Sequence, residues 1–314
     1  MYGGGIKDDF RNAFNNPSGA PVQLIIVNVA AFVVLGLIQV FVDFSGAGSG
    51  TFDIQREFLG LPMHLNELVT RFWTPLTYMF VHDGFFHILF NMLFLYWFGR
   101  ILVEYLGGAK VINIYILGGL FGGLLYVTIY PTVLQLLNPG VDITTVSPNL
   151  VGASAGVFAV VFGTATLVPN YTMFLLFIGP VKIKYIALFY VLSFMLQLSG
   201  PNSGGELAHI GGALMGFLYI RQLQKGSDWG AWIGSTIRFF KSFFVKQPKI
   251  KVTYKRGTSR RKTKDRAAAP RTSGKSGSTA SQEEIDAILD KISERGYESL
   301  TKEEKQKLFN ASKK

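Results

Sequence analysis

Four polar side chains suited to acid–base and acyl-transfer chemistry lie in stretches that are otherwise almost entirely apolar. Ser154 stands at the centre of GASAG, His209 lies in ELAHIGGALMG, and HILFN contains His87 and Asn91. A serine hydroxyl attacks an acyl carbon once a neighbouring base takes its proton, and neutral histidine is the usual base. A histidine in an apolar membrane helix is costly and by default indicates function with a nearby partner. These residue types therefore indicate nucleophilic catalysis by a serine.

Each of these residues also has a purely structural interpretation. Ser154 fits the role of a small residue that lets two helices pack closely, and His209 fits that of an interfacial histidine reaching lipid headgroups. His87 and Asn91 are four residues apart and share one helix face, where they would form a polar clasp between helices or donate to an oxyanion. The elements that carry these residues decide between the interpretations.

The composition indicates a membrane protein with a basic tail. The 314 residues are 49% hydrophobic and 16% charged, with a mean hydropathy of +0.30; ordinary globular chains are less apolar and more charged. Residues 1–222 carry a formal net charge of −1, and residues 223–314 carry +12. The chain contains no cysteine and four histidines, so we expect neither disulfides nor a metal site.

Six apolar segments predict six membrane-spanning helices, since a span needs about 20 mainly apolar residues. The segments are 22–42, 85–99, 111–130, 151–168, 185–198 and 207–220. The shorter ones are included because lysine and arginine are concentrated in every second connecting segment, as the positive-inside rule requires of cytoplasmic loops. This predicts an all-α membrane protein, a six-transmembrane-helix bundle with cytoplasmic N- and C-termini. Residues 171–182 are too short to span, and their Gly179–Pro180 turn predicts a hairpin at the inner interface.

The predicted topology places the four polar residues at one depth. The second, fourth and sixth helices all start at the outer face, and at 1.5 Å rise per residue the four residues lie within a few turns of it. Small residues four apart let helix backbones approach closely. Such pairs are Gly152 with Gly156 and Gly212 with Gly216. We therefore predict that the fourth and sixth helices pack together and bring Ser154 within reach of His209.

The acidic residues nearest to this level are Glu206, Asp83 and Asp142, all outside the predicted spans. We therefore expect a serine–histidine dyad without a carboxylate, with Glu206 as the less favoured third member. His64 and His82 lie in the first loop and are expected to be solvated or interfacial.

Together, the stretches HILFN, GASAG and AHIGGALMG, in this order on six predicted spans, resemble the rhomboid family of intramembrane serine proteases. The resemblance covers residues 21–222. It implies a rhomboid-type bundle, without a cofactor, that cleaves a peptide bond in or just outside a transmembrane helix of a membrane-protein substrate. Carried over, Ser154 is the nucleophile and His209 the base. The backbone N–H of Ser154 and the side chains of His87 and Asn91 form the oxyanion hole.

The sequence departs from the family pattern at two positions near the serine. Ala155 replaces a glycine that often follows the nucleophile, which is a modest steric change. Phe158 stands one turn below Ser154, where the family often has tyrosine, so it would support His209 without a hydroxyl. Neither departure removes a catalytic group.

Two other functions are compatible with parts of the pattern. A catalytically silent rhomboid-like protein would bind membrane clients, but it would need neither Ser154 nor His209. A transporter using His87 and His209 as proton carriers would need acidic partners inside the spans, and the predicted spans contain none. The predicted location is a bacterial inner membrane, with several passes.

The remaining segments are predicted from charge and periodicity. Residues 1–20 form a cytoplasmic N-terminal segment, 21–222 the catalytic domain and 223–245 an amphipathic juxtamembrane helix. The basic stretch 246–280 predicts a disordered linker attracted to anionic inner-leaflet lipid rather than to nucleic acid. Residues 281–314 begin with a capping box at Ser281 and predict short helices whose narrow apolar stripe needs a protein partner.

Overall fold

The computed structural model describes residues 19–45, 52–140, 142–143, 148–175, 178–244, 282–295 and 299–311. The chain divides into two compact units, residues 1–248 and 249–314. In chain order the helices are α1 Ala20–Phe44, α2 Phe52–Leu59, α3 Leu65–Thr70, α4 Thr74–Thr77, α5 Phe85–Leu106, α6 Gly108–Leu137, α7 Ser154–Leu167, α8 Ile183–Gln197, α9 Ser203–Gln224, α10 Ala231–Phe244, α11 Gln282–Arg295 and α12 Lys302–Ala311. The strands are β1 Leu61–Pro62, β2 Asn149–Leu150, β3 Thr172–Leu175 and β4 Gly179–Lys182.

Six helices of the first unit coincide with the six predicted spans: α1, α5, α6, α7, α8 and α9. By length and composition, α1, α5 and α6 are able to cross a membrane. Helices α7 and α8 are apolar but have 14 and 15 residues. The chain is thus a mainly helical, multi-pass membrane protein, and the count of six spans stays a prediction.

Helix α7 lies at the centre of the first unit, packed against α5, α6 and α9. Small residues bring three of these backbones together. A Cβ at Gly212 or Gly216 of α9 would overlap the carbonyl oxygen of Ala155 or Ala159 of α7. A Cβ at Gly122 of α6 would lie 2.6 Å from the carbonyl oxygen of Ala208 on α9. These contacts confirm the predicted packing of the fourth and sixth helices.

The face that α7 turns to α9 differs from the prediction in one respect. Its closest backbone contacts with α9 are made at Ala155 and Ala159, whereas Gly156 points toward α6. A Cβ at Gly156 would lie 2.7 Å from the carbonyl oxygen of Tyr115. Gly156 is therefore a packing residue as expected, but it permits the α6 contact and not the α9 contact.

Two short antiparallel sheets supplement the helices, so the first unit is not purely α-helical. In one sheet β1 pairs with β2 through Leu61 and Leu150, which ties the first loop to the segment that leads into α7. In the other, β3 pairs with β4, and Thr172 lies opposite Lys182. The predicted hairpin is therefore present, but the predicted turn position is wrong, because Gly179 and Pro180 lie in β4 and pair with Leu175 and Phe174 of β3.

A polar cluster joins the end of α9 to the start of α6 and α10. Lys110 forms an ion pair with Asp228, whose other oxygen accepts hydrogen bonds from the Tyr219 hydroxyl at 2.7 Å and the Gly230 N–H at 3.0 Å. Burial alone would raise the pKa of Asp228. The hydrogen bonds that its carboxylate accepts outweigh this effect, so the pKa lies below its ordinary value. Helix α10 follows directly, with Ile233 buried and its large aromatic side chains exposed, as in an amphipathic helix.

The second unit contains α11 and α12, which pack around the buried Ile288 and Leu300. Helix α12 begins with a reciprocal capping box. The N–H of Thr301 donates to the Glu304 carboxylate at 2.8 Å, and the Glu304 N–H donates to the Thr301 hydroxyl at 3.3 Å. Residues 1–18 of the predicted N-terminal segment, the basic linker 246–280 and Ser281 lie outside the described residues.

Candidate active site

Ser154 occupies the first position of α7, and the residue before the helix, Ala153, makes no side-chain cap. The N–H groups of a first helical turn have no acceptor within their own helix, and the helix dipole makes this end positive. The backbone at Ser154 is therefore suited to an anion that forms beside its hydroxyl.

Gly152 fixes the approach of the chain to Ser154. Its φ of +129° lies in a region that other residues rarely adopt, and its N–H donates to the carbonyl oxygen of Tyr78 at 2.9 Å. A Cβ at this position would lie 2.9 Å from two ring atoms of His87. A glycine here lets the His87 ring lie directly against the backbone that precedes the serine.

The structure brings Ser154 and His209 into direct contact. The Ser154 Oγ lies 2.7 Å from Nε2 of His209, a hydrogen bond in which the hydroxyl donates when Nε2 carries no proton. The His209 ring packs against Phe158, with centroids 4.9 Å apart, and against Phe194 at 5.2 Å. Phe158 therefore contacts His209 as the family resemblance implies.

A carboxylate lies on the other side of the His209 ring. The Glu206 Oε2 is 3.3 Å from Nδ1 of His209, and the Glu206 side chain is 8% exposed. Glu206, the less favoured third member in the sequence-based expectation, thus lies beside the serine–histidine pair. Helix α9 begins at Ser203, four residues before the predicted span, so Glu206 is helical and lies one turn before His209. The spacing of three residues between Glu206 and His209, which places both side chains on one helix face, is the feature of the sequence that could have predicted this contact.

His87 and Asn91 line the same cavity as the serine and the histidine. Asn91 is buried, and its Nδ2 donates to the backbone carbonyl oxygen of His87 at 2.8 Å. An amide nitrogen carries two hydrogens, so this bond does not exhaust its capacity to donate. The four residues singled out by sequence thus face one space, from the first two turns of α5 and α9 and the first turn of α7.

The cavity has a volume of about 620 Å³, and its walls combine aromatic, aliphatic and polar residues. Its aromatic members are Phe86, Phe90, Phe94, Tyr126, Tyr130, Phe158 and Tyr190. Arg56 and Asp83 also line it and pair with each other at 3.3 Å. The space combines apolar walls with a small group of convergent polar residues, which is typical of ligand sites.

His82 differs from the sequence expectation, since it is 5% exposed and not solvated. Its ring lies edge-on to the His87 ring, with centroids 5.1 Å apart. Neither ring nitrogen has a hydrogen-bond partner among the described residues. Burial, and secondarily the neighbouring His87, lowers the pKa of His82 from 6.5 to about 4, so the ring is neutral at physiological pH.

Two family models match parts of the chain. A family model described as "Rhomboid domain" matches residues 69–225, and one described as "Family of unknown function (DUF6576)" matches residues 277–314. The first match contains Ser154, His209, His87 and Asn91.

Two curated proteins are similar to this chain. The "RHOMBOID-like protein 12, mitochondrial" of Arabidopsis thaliana is 27% identical over 205 residues, which cover 62% of this chain and 59% of the relative. The "Inactive rhomboid-related protein 2" of Caenorhabditis elegans is 29% identical over 173 residues, which cover 52% and 43%. The chain thus spans between about two fifths and three fifths of the length of these relatives.

Proposed function

This chain belongs to the rhomboid family, and we propose that it is a serine protease that cleaves peptide bonds in or near the transmembrane helices of membrane-protein substrates. The observation that carries the proposal is the 2.7 Å contact between the Ser154 hydroxyl and Nε2 of His209, at the wall of a cavity. A serine that served packing alone would not need a base at hydrogen-bond distance.

In the first step the Ser154 oxygen attacks the carbonyl carbon of the substrate, and Nε2 of His209 takes the hydroxyl proton. The carbon–nitrogen bond then breaks, and the imidazolium gives that proton to the leaving amine. Water, deprotonated by the same histidine, hydrolyses the acyl-enzyme and regenerates the serine.

The developing oxyanion would be stabilised from two sides. The N–H of Ser154 is at the positive end of α7, and the side chains of His87 and Asn91 face the same cavity. Donors that are held in place before the reaction cost no reorganisation when the negative charge forms. Helix packing holds these donors, since α5, α7 and α9 are joined through close contacts.

We assign Glu206 the role of a positioning residue. An acceptor beside Nδ1 keeps the ring proton on that nitrogen, which leaves Nε2 free to accept from the Ser154 hydroxyl. The carboxylate also stabilises the imidazolium that forms during attack. The side chain is almost fully buried, so water screens this interaction little.

The aromatic cavity suits an apolar peptide segment without regular helix. A peptide carbonyl inside a helix is hydrogen-bonded and covered by its neighbours, so the serine cannot attack it. Substrates are therefore expected to carry glycine, proline or other helix-weakening residues near the cleaved bond.

The alternative is a silent rhomboid-like protein that binds membrane clients. The name of the nematode relative describes that protein as inactive. In this chain the contacts of Ser154 with His209, and of His209 with Glu206, support catalysis over binding alone.

The proposed orientation places both termini in the cytoplasm of a bacterium, with Ser154 near the outer face of the inner membrane. The support is the charge asymmetry of the loops. Cysteines introduced at the exposed positions Gly140 and Ser199 are expected to react with an impermeant reagent on intact cells, and one at Lys225 is not. The reverse pattern would overturn the orientation.

The protease proposal is tested with a fluorophosphonate on the purified full chain, followed by mapping of the labelled residue. We expect labelling at Ser154, and loss of both labelling and substrate cleavage in Ser154→Ala and His209→Ala. The double variant should be no worse than either single one, because the two residues act as a unit. Ser193→Ala, in α8 and outside the cavity, is the matched control and should remain active. Full cleavage by Ser154→Ala would refute the protease assignment.

A further inference from the structure

A second cavity, of about 450 Å³, lies at the opposite end of the helices that carry the serine and the histidine. It is bounded by the end of α7, the start of α8 and the end of α9. Thr166 and Arg221 line it. Thr166 lies twelve residues after Ser154 on α7, and Arg221 lies twelve residues after His209 on α9. At 1.5 Å rise per residue the cavity is roughly 18 Å from the proposed active site. We call it the basic groove.

Two cations line the basic groove, Lys184 and Arg221. Both are exposed, and each lies over an aromatic ring: the Lys184 Nζ is 5.3 Å from the centroid of Tyr185, and the Arg221 Cζ is 5.5 Å from that of Phe217. Within the described part of the chain, neither pairs with a carboxylate.

Other basic side chains of the first unit do have acidic partners. Examples are Arg56 with Asp83, Arg71 with Glu67 and Lys110 with Asp228. Lys184 and Arg221 have no such partner among the described residues, and they differ from other unpaired cations such as Arg100 in that both line one cavity. Two cations facing one space favour a ligand with a negative charge.

The walls of the basic groove are otherwise mainly apolar. Phe162, Ala187 and Phe217 contribute to them, with Phe217 40% exposed. The same helix faces continue as apolar surface beyond the groove. Leu188 lies one turn after Lys184, and Leu214 one turn before Phe217, and both are exposed. An uncharged strip thus leads from the two cations along the side of the bundle.

We infer that the basic groove binds one anionic phospholipid. Its phosphate lies between Lys184 and Arg221, and its acyl chains lie along the strip formed by Phe217, Leu214 and Leu188. Basic pockets between transmembrane helices recognise lipid headgroups through this combination of charge and apolar surface. A free phosphate would satisfy the cations but would leave the apolar strip unused, which favours a lipid as the occupant.

Native mass spectrometry of the detergent-solubilised full chain tests the inference, with dioleoylphosphatidylglycerol and dioleoylphosphatidylcholine as competing probes. We expect preferential retention of the anionic lipid. The double variant with Lys184→Gln and Arg221→Gln should bind it about 10- to 30-fold more weakly, because each basic residue near a membrane surface contributes about fivefold to anionic-lipid binding.

The matched control is the double variant with Lys182→Gln and Arg100→Gln, which removes the same charge outside the groove. Arg100 also lies over a ring four residues earlier, with its Cζ 5.5 Å from the centroid of Tyr96. This variant should retain the lipid preference. A second test, Thr166→Glu, leaves both cations in place but adds a carboxylate to the groove, and it should also weaken binding.

Three results would overturn the inference. Equal retention of the two lipids would show that the groove does not select negative charge. An equal loss in the control variant would show a general effect of surface charge. Equally tight binding of soluble glycerol 3-phosphate would identify a phosphate site and not a lipid site. The measurement does not depend on protease activity, so the two proposals fail separately.

Discussion

The carboxylate of Glu206 lies 3.3 Å from Nδ1 of His209, one turn before it on the same helix. The opposite ring nitrogen receives the Ser154 hydroxyl at 2.7 Å. The three side chains therefore form a line, and in the proposed mechanism the carboxylate sets the tautomer of the histidine while the histidine takes the proton of the serine.

Glu206→Gln keeps an acceptor of the same size beside Nδ1 but removes the negative charge that stabilises the imidazolium. We expect kcat to fall roughly 10- to 100-fold with KM little changed, since the loss concerns the transition state. Steady-state cleavage of a purified transmembrane substrate measures both. Glu67→Gln, whose carboxylate pairs with Arg71 outside the cavity, is the control. A wild-type kcat in Glu206→Gln would contradict the positioning role.

Asn91→Ala removes one proposed oxyanion donor and leaves the Ser154 N–H and His87. We expect kcat to fall by a factor of roughly 10²–10³, whereas Ser154→Ala is expected to lose all activity. Asn138→Ala is a close control, because Asn138 also donates to the carbonyl oxygen four residues earlier but lies outside the cavity. If both variants cleaved at the wild-type rate, Asn91 would have only a structural role.

Gly212→Ala adds a Cβ that overlaps the carbonyl oxygen of Ala155. Helix α9 has to move away from α7, so we expect a loss of about 1–3 kcal/mol in stability and a large fall in activity. Gly36→Ala on α1 meets nothing within 4 Å and should be neutral or slightly stabilising. Thermal unfolding in detergent and substrate cleavage compare the two. Normal activity in Gly212→Ala would show that the contact does not set the geometry of the site.

The pKa of His82 is lowered from 6.5 to about 4, first by burial and then by His87. Between these two pH values the unfolded chain binds a proton that the folded chain does not, so the free energy of unfolding falls as the pH falls. The full effect is about 3 kcal/mol, and most of it is reached by pH 4. Denaturation midpoints of the detergent-solubilised chain from pH 7 to 4 measure it. His82→Leu should flatten the dependence, whereas His64→Leu should not; equal slopes in all three proteins would contradict the prediction.

A chain truncated after Pro248 should retain protease activity, because Ser154, His209, Glu206 and Asn91 all belong to the first unit. Cleavage of a permissive transmembrane substrate in detergent tests this, with unfolding temperature as the control for folding. Loss of activity in a folded truncated chain would show that residues 249–314 contribute to catalysis itself and not only to recruitment or tethering.

The sequence predicted the helices and the meeting of the polar residues well, because the signals were local or periodic. Apolar length located the six helices, and Gly212 with Gly216 indicated the contact that joins Ser154 to His209. The four polar residues meet because α5, α7 and α9 start at the same end of the bundle, whereas their depth in a membrane stays a prediction.

The differences arose where the outcome depended on helix starts and on neighbours from distant segments. Hydropathy alone placed the start of the sixth helix at residue 207, so Glu206 was excluded from the bundle, whereas the helix begins at Ser203. The burial of His82 depends on its contact with His87 and on the fold of the first loop. The direction of Gly156 depends on Tyr115 of α6, which no spacing within α7 reveals.

Helix α7 has 14 residues and is therefore about 21 Å long, whereas the hydrocarbon layer of a bilayer is about 30 Å thick. When its Leu167 end is level with one face of that layer, Ser154 lies about 9 Å below the other face. The longer helices α5, α6 and α9 border this recess, and the polar side chains at its floor can hold water that the lipid around the bundle excludes. In the proposed hydrolysis, the short central helix would thus let water, the second reactant, reach the serine at a depth where the membrane offers none.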